Sequence, residues 1–169
     1  MAAAGLCLTV ASGGWHPAAL AAPATGPRAQ VSGGLLEGTA VSDGVVSFKG
    51  IPYAEPPTGD QRWRPPVPAR SWQGVREAKS FGPACLQPPP VPTSLYYGGM
   101  APMAEDCLSL NVWAPNDAKG LPVIVWVHGG ALVGGSSSEP LYDGTKIAQK
   151  GVIFVSINYR LGLLGFLAH

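Results

Sequence analysis

Charge is scarce in this chain of 169 residues: 12% are Asp, Glu, Lys or Arg, with 11 basic against 10 acidic residues and a formal charge of +1. The charges fall singly and not in runs, which removes the electrostatic footprint that nucleic acid or an anionic membrane surface would need. Long hydrophobic runs are missing too. No stretch reaches the roughly 18 to 20 uninterrupted apolar residues that cross a bilayer, which argues against a membrane helix. Histidine occurs at His16, His128 and His169 alone, and no group of His, Cys and carboxylates has the spacing of metal ligands. No glycine-rich loop fits a phosphate cradle, and no internal period marks a solenoid or collagen. Neither a metal nor a cofactor is called for.

What is present is apolar and turn-rich. Hydrophobic residues make up 46% of the chain, enough for a real core, while 23 glycines and 18 prolines are too many for a mostly helical protein. Residues 1–24 differ from the rest: Ala2 to Val10 is small and apolar, and Ala19-Leu20-Ala21 or Ala22-Pro23-Ala24 offers a small-x-small cleavage site. We read them as an export signal, lacking a basic n-region, with residues 25–169 as the remaining, incomplete domain and a secreted or periplasmic location. Cys7 leaves with that signal. Cys85 and Cys107 remain, and an even pair in an exported protein suggests one disulfide, with two unpaired buried thiols as the alternative.

From Gln30 to Gly50, short β-prone runs alternate with the turns Ser32-Gly33-Gly34 and Ser42-Asp43-Gly44, which predicts a small antiparallel ribbon. Ile51 to Ala69 carries six prolines, which deny it a helix interior or central strand and make it an ordered surface loop or linker. A second proline-dense stretch, Pro83 to Pro102, lies almost wholly between the two cysteines. Leu108 to Trp113 alternates apolar and polar residues as a half-buried strand does. Val123 to Val127 is continuously apolar and β-branched except for Trp126, the texture of a strand buried on both faces of a parallel sheet, and Val152 to Ile157 repeats it. The interval between them suits a crossover, with a short helix over Lys146 to Lys150. The fold class expected is α/β, with mostly parallel central strands. The apolar run Leu161 to Ala168 shows no closing helix.

His128-Gly129-Gly130-Ala131 follows the first apolar strand directly. Glycines there let the backbone turn sharply and point N–H groups into an open crevice. In acyl transfer such donors face the negative oxygen of the tetrahedral intermediate, each worth about 3 kcal/mol in the transition state. Two adjacent glycines alone fit a plain glycine-rich turn better than this reading.

The neighbouring residues carry a resemblance. Phe48-Lys49-Gly50-Ile51-Pro52-Tyr53-Ala54-Glu55-Pro56-Pro57 and Arg62-Trp63-Arg64-Pro65-Pro66 resemble the N-terminal block of type-B carboxylesterases and cholinesterases. Glu105-Asp106-Cys107-Leu108-Ser109-Leu110-Asn111-Val112-Trp113 is similar to that family's second signature. Val125 to Gly130, Tyr142-Asp143-Gly144 and Ile157 to Gly162 follow in the family's order. The resemblance implies an α/β-hydrolase fold, a small-molecule ester as substrate, and hydrolysis by a Ser-His-Glu/Asp triad. It implies that Gly130 and Ala131 donate backbone N–H groups to the oxyanion, supported by His128 and Gly129. Alanine replaces the family's usual glycine at 131, which keeps the donor unless the turn needs a positive φ. It also implies a Cys85–Cys107 disulfide and an Arg62–Glu105 ion pair that pins the proline loop. Between the cysteines there is no tryptophan, where cholinesterases place the ring that stacks on a quaternary ammonium, so choline ester specificity is not implied.

Hydrolases of this kind place the nucleophile in a Gly-x-Ser-x-Gly elbow, and no such elbow occurs here. Ser136, Ser137 and Ser138 have no glycine two residues on, where the elbow needs one, and read as loop polarity. The expected product is therefore the oxyanion half of an esterase, inactive by itself. Two other readings stand beside it: a non-catalytic binding or adhesion module of the same family, and the product of a truncated gene.

Overall fold

The computed structural model describes residues 26–89 and 101–168. The expected export signal lies outside them, as do His169 and the middle of the second proline-dense stretch.

The chain opens with β1 (Arg28–Val31) and β2 (Gly34–Glu37), then β3 (Thr39–Ala40), β4 (Val45–Pro52), β5 (Val75–Glu77), β6 (Ala84–Cys85), β7 (Met103–Ala104), β8 (Ser109–Pro115) and β9 (Val123–Val127). Helix α1 (Thr145–Ala148), β10 (Ile153–Ile157) and helix α2 (Gly162–Phe166) complete the described order. β1 and β2 pair antiparallel and β5 joins β2 in parallel, while β3 and β4 enter the main sheet, so the antiparallel ribbon expected over Gln30 to Gly50 is divided between two sheets. The tight pairing turn at Ser32-Gly33-Gly34 brings Trp72 over it: the Trp72 amide donates to Gly33 O at 2.8 Å, and its indole N–H donates to Leu35 O at 3.0 Å.

The main sheet has five strands in the order β3-β4-β8-β10-β9. Three of its pairings are antiparallel, and β10 with β9 is parallel, which corrects the expectation of mostly parallel central strands over the described residues. Parallel neighbours need a crossover, and the crossover seen is the one through α1 between β9 and β10. β4 and β8 instead meet antiparallel across the proline-rich loops.

Two apolar layers hold this sheet. Leu36, Val46, Phe48, Ala78 and Ala114 pack between the two sheets, while Val45, Trp113, Ala148 and Phe154 fill the opposite face beneath α1. Burying the larger of these, Leu36 and Phe48 among them, stabilises by about 1.5 to 3 kcal/mol each. A third cluster, Ala54, Cys85, Cys107, Leu108 and Leu161, surrounds the disulfide.

Three expectations change. β9 is exposed at all five positions, Val125 to 58%, because it is the sheet's outer strand among the described residues. In β8 the alternation has the opposite sense to that expected: Ser109 and Asn111 are buried, while Leu110 and Val112 are half-buried. The terminal apolar run does form a helix, α2, held by contacts the local sequence does not announce: Gly162 N–H donates to Leu132 O at 2.7 Å, and the Trp63 indole donates to Leu163 O at 2.8 Å. The proline loop is ordered outside any long element. Ile51 and Pro52 close β4, where proline at the last position removes no central ladder bond, and Ala54 bridges to Pro68.

Candidate functional site

The turn after β9 is built on a buried histidine. His128 is 2% exposed, and its ring stacks on that of Tyr159 with centroids 4.4 Å apart. Tyr159 OH donates to His128 O at 2.7 Å. His128 Nδ1 lies 2.9 Å from Gly129 O, which makes Nδ1 the protonated nitrogen, since a carbonyl only accepts. Burial pushes the imidazole below its ordinary value of 6.5, and the Gly129 carbonyl opposes this in part. His128 is thus a neutral support for the turn, held by its Nδ1 bond, its stack and its carbonyl.

Beyond it the backbone reverses over Gly130 to Gly134, with Val133 N–H and Gly134 N–H donating to Gly130 O at 3.0 and 3.1 Å. Gly130 has φ +118°, and a Cβ there would run into the Gly134 carbonyl oxygen. Ala131 and Leu132 follow with φ of +52° and +63°. The turn therefore does demand a left-handed residue at 131, and alanine meets that demand at a cost of about 1 kcal/mol relative to glycine. Residues 129–133 are exposed. Among the described residues neither the Gly130 nor the Ala131 N–H finds an acceptor.

The segment that follows corrects the sequence reading. Ser136, Ser137 and Ser138 are not loop polarity: they are 0%, 2% and 3% exposed and belong to a polar network inside the fold. Asn111 Nδ2 donates to Ser137 Oγ at 3.0 Å and to Ser156 Oγ at 3.1 Å, while its Oδ1 accepts from Gly50 N–H at 2.9 Å. Asn158 Oδ1 accepts from Ser137 N–H at 2.9 Å, and its Nδ2 donates to Pro83 O at 2.9 Å. Buried amides so fully paired fix one arrangement of the backbone around them. Asn111 and Asn158 lie in motifs quoted above, yet their role was missed. The available signal was a polar residue sharing the inward face of a strand with Trp113. Gln87, which bonds Gly135, carried no such signal.

Glu139 ends this segment, 2% exposed, and neither carboxylate oxygen makes a hydrogen bond among the described residues. Burial pushes its carboxyl above the ordinary 4.5, with the nearby Ser136 backbone opposing.

The other sequence-derived residues gather elsewhere. Cys85 and Cys107 are joined by a disulfide with Cα atoms 5.0 Å apart. Arg62 and Glu105 form a two-point pair, NH2 to Oε2 at 2.7 Å and Nε to Oε1 at 2.5 Å, which lowers the Glu105 pKa and raises that of Arg62. Glu105, Cys85 and Cys107 line one small crevice, so the pair ties the proline loop beside the disulfide. Among the described residues no cluster of three or more His, Cys, Asp or Glu gathers as metal ligands do, and no helix is long and apolar enough to cross a membrane.

Residues 25–169 match the carboxylesterase family, whose solved members have the α/β-hydrolase fold. The chain belongs to that family. It is 49% identical over 138 residues to the fumonisin B1 esterase of Sphingopyxis macrogoltabida, covering 80% of this chain and 25% of that protein. To the para-nitrobenzyl esterase of Bacillus subtilis it is 49% identical over 136 residues, covering 79% of this chain and 27% of the relative. A solved para-nitrobenzyl esterase structure superposes with a TM-score of 0.79 at 46% identity, over 86% of this chain and 30% of the other. The chain thus spans between a quarter and a third of the length of these relatives.

Proposed function

We propose that this chain supplies the oxyanion-binding part of a serine carboxylesterase acting on small-molecule carboxylic esters. The observation that carries the reading is the pair of amides at Gly130 and Ala131, exposed at the carboxyl end of β9 and without an acceptor among the described residues. An ester carbonyl seated there gains negative charge as a nucleophile adds to it. Two fixed N–H donors stabilise that charge by about 3 kcal/mol each, because they need no reorientation during the reaction. His128, locked by Tyr159, holds the first residues of the turn, and the buried serines hold the last. The similarity to esterases named for fumonisin B1 and para-nitrobenzyl substrates supports an ester as the substrate class.

No serine of the described residues stands in an elbow, and Ser136, Ser137 and Ser138 are all buried. The nucleophile, the acid and the catalytic histidine are proposed to come from residues other than these, so this chain alone is inactive. The disulfide supports a secreted or periplasmic site of action, in keeping with the export reading of residues 1–24.

Two measurements test this. In amide hydrogen exchange followed by NMR, Gly130 and Ala131 exchange at nearly unprotected rates; strong protection of both would remove the oxyanion reading. In an assay with p-nitrophenyl acetate, the purified chain gives no turnover above buffer; saturable turnover that survives repurification would place a nucleophile within this chain.

A further inference from the structure

We infer that Gln87 is a positioning residue for the oxyanion turn, an inference that rests on the reading of that turn given above. Its side-chain amide meets the backbone N–H and C=O of Gly135 from 48 positions away in sequence, in two reciprocal bonds: Nε2 donates to Gly135 O at 2.9 Å, and Gly135 N–H donates to Oε1 at 2.7 Å. The same Nε2 donates to Cys85 O at 3.0 Å, which anchors Gln87 to the disulfide. A primary amide is the side chain that offers one donor and one acceptor side by side at this reach, so it pairs with the N–H and C=O of one residue as a neighbouring antiparallel strand does. Glutamate lacks the donor, asparagine is one methylene short, and methionine offers neither bond.

Gly135 is the right place for such a hold. It has φ +108°, and a Cβ built on it would stand 2.5 Å from His128 Nδ1 and 2.6 Å from Gly129 O, so its backbone lies directly against the first half of the turn. Its neighbour Gly134 donates to Gly130 O at 3.1 Å. Fixing the 135 peptide therefore fixes both ends of the loop that carries the Gly130 and Ala131 amides. Those amides touch the reacting oxygen; Gln87 acts through them.

Hydrogen exchange on the whole chain tests the inference without relying on activity. In Gln87→Met the Gly135 amide exchanges about tenfold faster, the loss of one hydrogen bond, and the Gly130 and Ala131 amide resonances shift, while residues 28–37 keep their wild-type rates. In Gln87→Glu the retained acceptor keeps Gly135 slow, whereas the turn resonances still move. Unchanged exchange and resonances over 130–135 in Gln87→Met would overturn the inference. So would equal acceleration of 28–37 and 130–135 in both variants, which marks a residue of general stability. Should Gln87→Met fail to fold, Gln87→Glu decides alone: Gly135 as fast as an unprotected amide, or turn resonances unmoved, would overturn it. Protection of Gly130 and Ala131 in the wild type would remove the oxyanion reading and leave the Gln87–Gly135 clamp to be judged on Gly135.

Discussion

Tyr159 holds His128 twice, by a hydroxyl bond of 2.7 Å to its carbonyl and by a ring stacked at 4.4 Å on its imidazole. Burial favours the neutral ring, and the hydrogen bond to the Gly129 carbonyl opposes it in part. A folded-state pKa below 6.5 means that the unfolded chain takes up the proton first as pH falls. This stability is complete above 6.5 and is lost as pH drops from there toward the folded value. Thermal unfolding between pH 8 and pH 5 shows a declining Tm on the acid side, and His128→Phe flattens the part of that slope due to this group. Tyr159→Phe keeps the stack and loses the hydrogen bond, lowering stability by about 1 kcal/mol at every pH.

Ala131 sits at φ +52°, where glycine carries no Cβ penalty. Ala131→Gly relieves it, offset in part by the greater freedom of the unfolded chain, and stabilises by up to about 1 kcal/mol. Denaturant unfolding at pH 7 reads this as a higher midpoint with an unchanged slope. A lower midpoint would mean that the alanine methyl contributes packing that outweighs the strain.

Glu139 predicts the opposite pH dependence to His128. Its carboxyl is raised above 4.5 by burial, so the folded state keeps its proton longer than the unfolded state does. Stability from this group is complete below 4.5 and falls as pH rises through the folded value. Glu139→Gln removes the charge and retains the shape. It raises Tm at pH 8, through a stability gain on the order of 1 kcal/mol, and changes little at pH 4.

Among the described residues β9 exposes apolar side chains along its whole length at the outer position of the sheet. An open, apolar strand edge pairs with other copies, so the chain self-associates as its concentration rises. Val125→Lys places a charge at the most exposed position and suppresses that association in sedimentation or light scattering. Equal association in the variant would place the sticky surface elsewhere.

The parts of this architecture that are local were legible in the sequence. Val123 to Val127 gave β9 its bounds because five apolar residues between turn signals have few other fates. The motif residues placed Arg62 with Glu105 and Cys85 with Cys107. What stayed hidden depends on which strand lies beside which. Asn111 is inward-facing because β10 brings Ser156 opposite it and the loop brings Ser137 over it, and no window of sequence around Asn111 contains either partner. The positive φ at Ala131 was hidden for a related reason: it follows from the closure of the turn onto Gly134, and alanine does not advertise it as glycine would.

The order of β8, β10 and β9 bears on how the chain is born. β10 is made last of the three and takes the middle place, between two strands already synthesised that share no ladder with each other. Until the ribosome has released residue 157, the inner borders of β8 and β9 are both vacant, so the nascent chain passes through an interval in which chaperone capture and misfolding compete for the same gap.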